Sequence, residues 1–204
     1  MLTSAQQTRW PAVVALIGTV WWLAMVIGLH LLNVDQYNPI GQAVSDLAYA
    51  RLGFLLDIAF IALGFGTLTL AYGLLRSVAQ VVGAPLFLAI AGVLLALSGV
   101  FQTDPPDGLK TTSGTIHNTI GLIAFILMVA VMFRFAWRFR RDPRWRSFAL
   151  PTLIWAAVAA DAAVLFPVLG ASEFGIAQRI FILIWWSWLF VTALRLRIIT
   201  AAQS

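Results

Sequence analysis

The sequence of 204 residues contains no cysteine, and only 10% of its residues are charged. The lack of cysteine excludes disulfide bonds, thiolate nucleophiles and thiolate metal sites. Soluble domains carry about 25% charged residues, whereas 61% of this chain is hydrophobic. Because water cannot accommodate so much apolar surface and a lipid bilayer can, the composition predicts an integral membrane protein.

Six apolar stretches are long enough to cross a bilayer, which takes about 20 residues each. Backbone polar groups in hydrocarbon must be bonded within their own segment, and this favours helices. We therefore predict an all-α membrane protein, one domain over residues 1–204, with six transmembrane helices at 11–32, 52–75, 85–101, 115–135, 148–169 and 176–196. Pro11 and Pro85 are expected at the first position of their helices, where the missing N–H costs little.

The basic residues divide unevenly between the two sides of this bundle. Three fall on one side, at Arg51, Lys110 and Arg179. The other side carries ten, namely Arg9, Arg76, Arg134, Arg138, Arg140, Arg141, Arg144, Arg146, Arg195 and Arg197. Because Lys and Arg accumulate in the cytoplasm, both termini are predicted to be cytoplasmic. The run at 134–146 is interpreted as a topology signal beside anionic lipids, and no nucleic-acid partner is expected.

Ionisable residues inside the hydrocarbon are costly, which makes them candidates for function. Asp161 is predicted about eight residues below the outer end of the fifth helix, roughly 12 Å deep. It must be protonated or paired with a cation, and a structural ion pair with Arg179 is the alternative to a catalytic role. Asp57 is predicted about five residues into the second helix, too deep to cap it, and therefore also needs a partner.

Polar residues at the predicted outer helix ends form a second group of candidates. Thr115 is expected to cap the fourth helix, which places His117 in the first turn, where the positive helix end favours a neutral imidazole. Such a ring serves as base, hydrogen-bond donor or metal ligand, or it is simply an interfacial side chain. Ser45, Asp46 and Asp104 are types that cap helices and initiate turns, and this is the alternative to a catalytic or binding role.

Gln178 and Arg179 open the sixth helix. Arg179 lies on the predicted outer side against the positive-inside trend, which suggests a required partner such as Asp161, Asp57, Glu173 or an anionic ligand. Trp185 lies deeper in the same helix and is expected to line a cavity. With polar groups converging at one end, the helices predict an outward-opening pocket with apolar and aromatic walls.

Four short motifs carry a resemblance to a known family. They are QAVSDL at 42–47, QTDP at 102–105, TIHN at 115–118 and GIAQR at 175–179. They resemble the bacterial membrane family catalogued as domain of unknown function 998. The resemblance implies a multi-pass protein of the bacterial plasma (inner) membrane and brings no established activity. The positions that it emphasises are Ser45, Asp46, Asp104, His117, Gln178 and Arg179.

The layout of carboxylates and histidine also resembles the membrane hydrolases related to alkaline ceramidase. Those enzymes hold a metal with several histidines, whereas this chain has only His30 and His117. We therefore expect no metal and no cofactor.

The leading hypothesis is a membrane-embedded enzyme acting on a lipid or isoprenoid-like substrate from the outer leaflet. Asp161 or Asp57 is the expected acid, His117 the base, and Arg179 the group that binds negative charge. Hydrolysis or acyl transfer, with Ser45 as a candidate nucleophile, and acid-initiated isomerisation or cyclisation both fit. The alternatives are a small-solute or proton-coupled transporter and a non-catalytic assembly or binding subunit.

Overall fold

The computed structural model describes residues 4–79, 83–105, 108–165 and 171–202, and over these residues it contains helices and no strand. The six α-helices are α1 Ser4–Leu32, α2 Phe54–Ser77, α3 Gly83–Ser98, α4 Thr112–Phe139, α5 Arg146–Leu165 and α6 Phe174–Ala201. Two 3₁₀ helices, Val44–Tyr49 and Ala171–Glu173, precede α2 and α6. The all-α prediction is confirmed.

Five of these helices are long and apolar enough to cross a membrane, by length and composition. They are α1, α2, α4, α5 and α6. The remaining helix, α3, is equally apolar but has only 16 residues, which corresponds to about 24 Å at 1.5 Å per residue. The chain is a multi-pass membrane protein.

Most helices extend beyond the apolar stretches that predicted them. Helix α1 begins at Ser4, so Pro11 lies inside it and not at its first position. The expectation for Pro11 is wrong because the helix continues into polar residues that carry no apolar signal. Pro85 does lie in the first turn of α3. Residues 166–169 of the predicted fifth helix lie outside the described residues.

Close helix packing depends on small residues, as is usual in membrane bundles. A Cβ added to Gly64 of α2 would lie 2.5 Å from the backbone nitrogen of Ala96 in α3, which leaves no room for a side chain. Aromatic side chains fill the interior elsewhere. The largest of those with almost no exposure are Trp22, Trp145, Trp185, Trp188, Phe135, Phe139 and Phe181.

The connections gather at two opposite ends of the bundle. At the first end, which we call the basic end, Asp142 of the α4–α5 connection accepts a hydrogen bond from the Ala79 N–H at 3.1 Å. Arg195 near the end of α6 donates to the Arg144 carbonyl at 2.7 Å. At the other end, which we call the polar end, three parts of the chain meet: residues 33–53 between α1 and α2, which we call the first connection, the α3–α4 connection, and the start of α6. Ile176 of α6, for example, donates its N–H to the Ile40 carbonyl at 3.0 Å.

Candidate functional site

A cavity of about 430 Å³ lies at the polar end, and we call it the polar-end pocket. Its polar lining consists of Ser45, Asp46, Ser98, Thr103, His117, Asn118 and Gln178. Its apolar walls include Phe60, Leu95, Leu122, Phe125, Ile182 and Trp185. The pocket reaches the bundle surface at α4, where Leu122 is 61% exposed. Five of the nine residues predicted to form the site therefore line one cavity.

The 3₁₀ helix Val44–Tyr49 places Ser45 and Asp46 on the pocket wall. The N–H of Val44 donates to Oε1 of Gln178 at 2.7 Å, which ties this helix to α6. Oδ2 of Asp46 accepts the N–H of Ala43 at 2.8 Å. Asp46 is thus a first-turn acid, as its type suggested, but of the 3₁₀ helix and not of α2.

Gly175 at the start of α6 permits the close approach of the first connection. A Cβ at this position would meet the carbonyl oxygens of Pro39, Ile40 and Gln42. Only glycine therefore fits where α6 begins, and the contact fixes the distance between Gln178 and the 3₁₀ helix.

His117 is oriented by the end of α3. Its Nδ1 lies 2.7 Å from the carbonyl oxygen of Phe101. Because a carbonyl only accepts, Nδ1 carries the proton, and Nε2 of the neutral ring is left with a lone pair. The ring also packs edge-on against Phe60 with centroids 6.5 Å apart. The pocket therefore contains one imidazole in a fixed tautomer.

The cap of α4 differs from the predicted one. Thr111, and not Thr115, is the N-cap, and its side chain accepts the Gly114 N–H at 2.8 Å. His117 consequently lies in the second helical turn. The helix is capped at Thr111 because Oδ1 of Asp104 accepts the Thr111 N–H at 2.7 Å. This hydrogen bond fixes Thr111 at the end of the α3–α4 connection.

The carboxyl of Asp46 is half-buried close to His117. Burial raises the pKa of Asp46 above its ordinary value, while the Ala43 N–H and the charges of His117 and Arg179 act in the opposite direction. Asp46 and His117 line the same cavity, so an Asp46 carboxylate would favour a protonated form of the His117 ring.

Three pocket groups have hydrogen-bonding capacity left over. The indole N–H of Trp185 is buried, with the residue 1% exposed, and finds no acceptor among the described residues. Within the same part of the chain the amide NH₂ of Gln178 and the hydroxyl of Ser45 also make no hydrogen bond. A buried donor without a partner, such as the Trp185 indole, is uncommon. A ligand oxygen in the pocket is a natural acceptor for it and for the unpaired Gln178 and Ser45 groups.

Arg179 is almost fully engaged by the protein itself. Nη1 donates to the carbonyl oxygens of Gln42 and Gly175, both at 2.8 Å. Nη2 contacts Nε2 of His30 at 2.9 Å and donates to the Tyr37 hydroxyl. Four of the five guanidinium N–H groups are thereby used. Arg179 ties α1, the first connection and α6 together, and it lines a neighbouring apolar cavity instead of the polar-end pocket.

None of the acidic partners expected for Arg179 contacts it within the described residues. Asp161 is exposed on α5 and has no hydrogen bond or ion pair in that same part of the chain. Asp57 lies in the first turn of α2, less deep than predicted, where its Oδ2 accepts from Nε2 of Gln102 at 2.9 Å. Asp161 therefore neither pairs with Arg179 nor faces the pocket.

Asp104 is occupied by its own connection. Besides Thr111 it contacts Lys110, with Nζ and Oδ2 3.3 Å apart. The Thr111 N–H holds the pKa of Asp104 below its ordinary value, so the group is a charged structural acceptor at neutral pH. Of the four carboxylates singled out by the sequence, Asp46 alone lines the pocket among the described residues.

The described residues bring together no group of three or more His, Asp or Glu side chains that could hold a metal ion. Sequence reasoning missed Ser98 in the pocket wall and Tyr37 beside Arg179. Ser98 follows an apolar run and bonds its own helix at the Leu94 carbonyl at 3.0 Å, which is an ordinary role. Nothing in the sequence distinguishes Tyr37 from a surface tyrosine, because its contact with Arg179 joins residues far apart in the chain.

A comparison with curated proteins gives no match, and a comparison with solved structures gives none either. The family described as "Protein of unknown function (DUF998)" matches residues 16–195. This match reaches from α1 into α6 and includes every residue that lines the polar-end pocket. The chain therefore belongs to the DUF998 family of proteins of unknown function.

Proposed function

We propose that this protein is a membrane-embedded enzyme that cleaves or transfers the acyl group of a lipophilic ester in the polar-end pocket. The observation that carries the proposal is the combination of groups around one cavity. His117 offers an unprotonated Nε2, Trp185 and Gln178 offer unpaired N–H donors, and the remaining walls are largely apolar. Hydrolysis of a lipophilic ester requires a general base, hydrogen-bond donors that stabilise the developing oxyanion, and an apolar cavity that binds the substrate.

The proposed reaction begins with a water molecule beside His117. Nε2 takes a proton from this water while the water oxygen bonds to the ester carbonyl carbon. The N–H groups of Trp185 and Gln178 stabilise the negative charge that develops on the carbonyl oxygen. Collapse of this intermediate breaks the bond to the alcohol oxygen, and the imidazolium returns its proton to the leaving alkoxide. The products are a carboxylic acid and an alcohol.

Two further groups support His117 in this scheme. The Phe101 carbonyl accepts the Nδ1 proton throughout, and the nearby Asp46 carboxylate stabilises the imidazolium that forms. If an alcohol takes the place of water, the same steps transfer the acyl group to it. The free Ser45 hydroxyl serves as a donor to the substrate in the hydrolytic route.

The pocket suits a substrate that arrives from the membrane. A volume of about 430 Å³ holds the reacting ester group and the adjoining part of a chain, since small-molecule sites span about 300–1,000 Å³. The exposed Leu122 lies at the rim on α4, beside Phe125. A substrate can therefore enter sideways from the bilayer, with its tail left in lipid.

We also propose that all six helices cross the plasma membrane of a bacterium, with both termini cytoplasmic and the pocket facing outward. Two observations support the crossing of α3. Its first residue, Gly83, lies near Arg134 at the basic end, and the Phe101 carbonyl that follows it contacts His117 at the polar end. The proposed orientation rests on the distribution of the basic residues, since ten of the 13 fall on one side and Lys and Arg accumulate in the cytoplasm.

The topology has a direct test because the chain contains no cysteine. Single variants Lys110→Cys and Arg197→Cys are treated in intact cells with a membrane-impermeant maleimide. Labelling at position 110 but not at 197 is expected, and both positions should react after the membrane is opened. The reverse pattern in intact cells would contradict the orientation.

The enzymatic proposal is tested with the purified protein in liposomes that contain a panel of acyl-ester lipids. Release of a carboxylic acid by the wild type is expected, and His117→Gln should slow it by about 10²-fold or more, the usual contribution of a general base. Asp161→Asn is the matched control, since Asp161 is exposed and outside the pocket. Equal turnover by His117→Gln and wild type would refute the role of His117. Solute or lipid that is moved unchanged would indicate a carrier.

A further inference from the structure

A second cavity, of about 760 Å³, lies at the basic end between the last turns of α4 and the first turns of α5. We call it the basic groove. One side is apolar and open to the surroundings of the bundle, with Phe133, Leu150 and Leu153 exposed by 40%, 65% and 41%. The other side carries Arg140, Arg141 and Arg146. The groove is therefore amphipathic, with apolar side chains next to a cluster of cations.

The three arginines of the groove have no carboxylate partner within the part of the chain that the structure describes. The ion pairs among the described residues are Arg144–Asp142 and Lys110–Asp104. Arg144 of the same connection is thus neutralised, whereas its neighbours Arg140, Arg141 and Arg146 keep their charge. Unpaired cations so close together repel each other, and an anion between them would relieve that repulsion.

An aromatic side chain holds two of these cations at the groove. The guanidinium carbons of Arg141 and Arg140 lie 5.0 and 5.9 Å from the centre of the Trp137 ring, within the range of cation–π attraction. Trp137 is itself 57% exposed. This combination of tryptophan and arginine at the end of an apolar helix is typical of the membrane–water boundary.

We propose that the basic groove is a binding site for a glycerophospholipid with an anionic headgroup. The phosphate and headgroup lie among Arg140, Arg141 and Arg146, and the acyl chains lie on Phe133, Leu150 and Leu153. The position fits, because the apolar helices Thr112–Phe139 and Arg146–Val164 both reach their boundary at this groove. A soluble anion would contact only the arginines, and the apolar side of the groove would then have no ligand. The site is separate from the polar-end pocket and does not depend on the proposed enzymatic function.

The test measures lipid binding to the full-length protein in detergent by native mass spectrometry. Phosphatidylglycerol and phosphatidylcholine with identical acyl chains are titrated separately, and glycerophosphoglycerol without acyl chains is a third ligand. The test variant is Arg140→Gln/Arg141→Gln/Arg146→Gln. The matched control is Arg9→Gln/Arg76→Gln/Arg197→Gln, which removes the same charge at exposed positions outside the groove. The single variants Arg140→Gln and Arg146→Gln serve if the triple variant does not fold.

The wild type and the control triple are expected to bind phosphatidylglycerol more tightly than phosphatidylcholine. The groove triple should lose roughly tenfold or more of this affinity, because each basic residue near a membrane surface adds to anionic lipid binding. Single variants should show a smaller loss in the same direction. Equal loss in the two triples would overturn the site, since it would reflect net charge alone. Binding of glycerophosphoglycerol as tight as that of the lipid would overturn the lipid assignment.

Discussion

Nδ1 of His117 lies within hydrogen-bonding distance of the Phe101 carbonyl, at 2.7 Å, although the two residues belong to different segments of the chain. The contact predicts that the neutral ring carries its proton on Nδ1 and leaves Nε2 unprotonated. Nitrogen-15 NMR of the histidine-labelled protein, with His30→Gln to assign the two rings, measures this directly. A neutral His117 protonated at Nε2 would contradict the proposed base.

A second prediction concerns Tyr37, whose hydroxyl is bonded to Arg179 and donates to the Ala43 carbonyl. Burial raises the pKa of Tyr37 to about 12, with Arg179 acting in the opposite direction. The pKa of Tyr37 in the folded protein exceeds the ordinary value of about 10. The neutral phenol therefore stabilises the fold below about pH 10, and this stabilisation is lost as the pH rises through about 12. Ultraviolet titration of the wild type should therefore contain a tyrosine phase near pH 12 that Tyr37→Phe lacks, and a phase near pH 12 that persists in Tyr37→Phe would contradict the assignment.

The helices were predictable because the bilayer imposes length and apolarity on any segment that crosses it. The positions of side chains around each helix were not. In a soluble helix the apolar face marks the core, but in a membrane the lipid-facing side is apolar as well. The sequence could therefore not show that Asp161 is exposed on α5. Trp185, by contrast, was expected to line a cavity, and it does line the polar-end pocket.

Local chemistry was predictable only where the partner lies nearby in the chain. The capping role offered for Asp46 as one alternative is present, but in the 3₁₀ helix and not in α2, and its partner Ala43 is three residues away. The cap of α4 was misplaced at Thr115, since the choice of Thr111 depends on Asp104 across the connection. Arg179 was expected to meet a carboxylate, yet neutral acceptors from three separate segments satisfy it.

A third prediction tests the α3–α4 connection through Gly114. A Cβ at this position would meet the Asp104 carboxylate, which holds the N-cap Thr111. Gly114→Ala should lower the free energy of unfolding by about 1–3 kcal/mol, as overpacking does. Gly121→Ala is the control, because a Cβ there meets nothing within 4 Å. Thermal unfolding in detergent compares them, and equal melting temperatures for the two variants would contradict the described connection.

A fourth prediction concerns Asp142 at the basic end. Burial alone would raise the pKa of Asp142, but hydrogen bonds from Arg144 and the Ala79 N–H outweigh it and hold the pKa below its ordinary value. The charged form therefore stabilises the fold above about pH 4, and this contribution is lost as the pH falls through the lowered value. Asp142→Asn should cost about 2 kcal/mol near neutral pH, since it weakens bonds to a buried acceptor.

The pH dependence separates this effect from general damage. The difference in stability between wild type and Asp142→Asn should shrink as the pH is lowered below about 4. Asp35→Asn, at an exposed acid, should leave stability nearly unchanged. A difference for Asp142→Asn that stays constant with pH would show that the carboxylate charge is not responsible.

The polar-end pocket as a substrate site is tested most directly by mass spectrometry of the lipids that co-purify with wild type, His117→Gln and Asp161→Asn. An ester-containing lipid should accumulate on His117→Gln, while wild type and Asp161→Asn should carry little of it or carry its cleaved product. The same lipids in the same amounts on all three proteins would contradict the account, because loss of the pocket base would then have changed nothing.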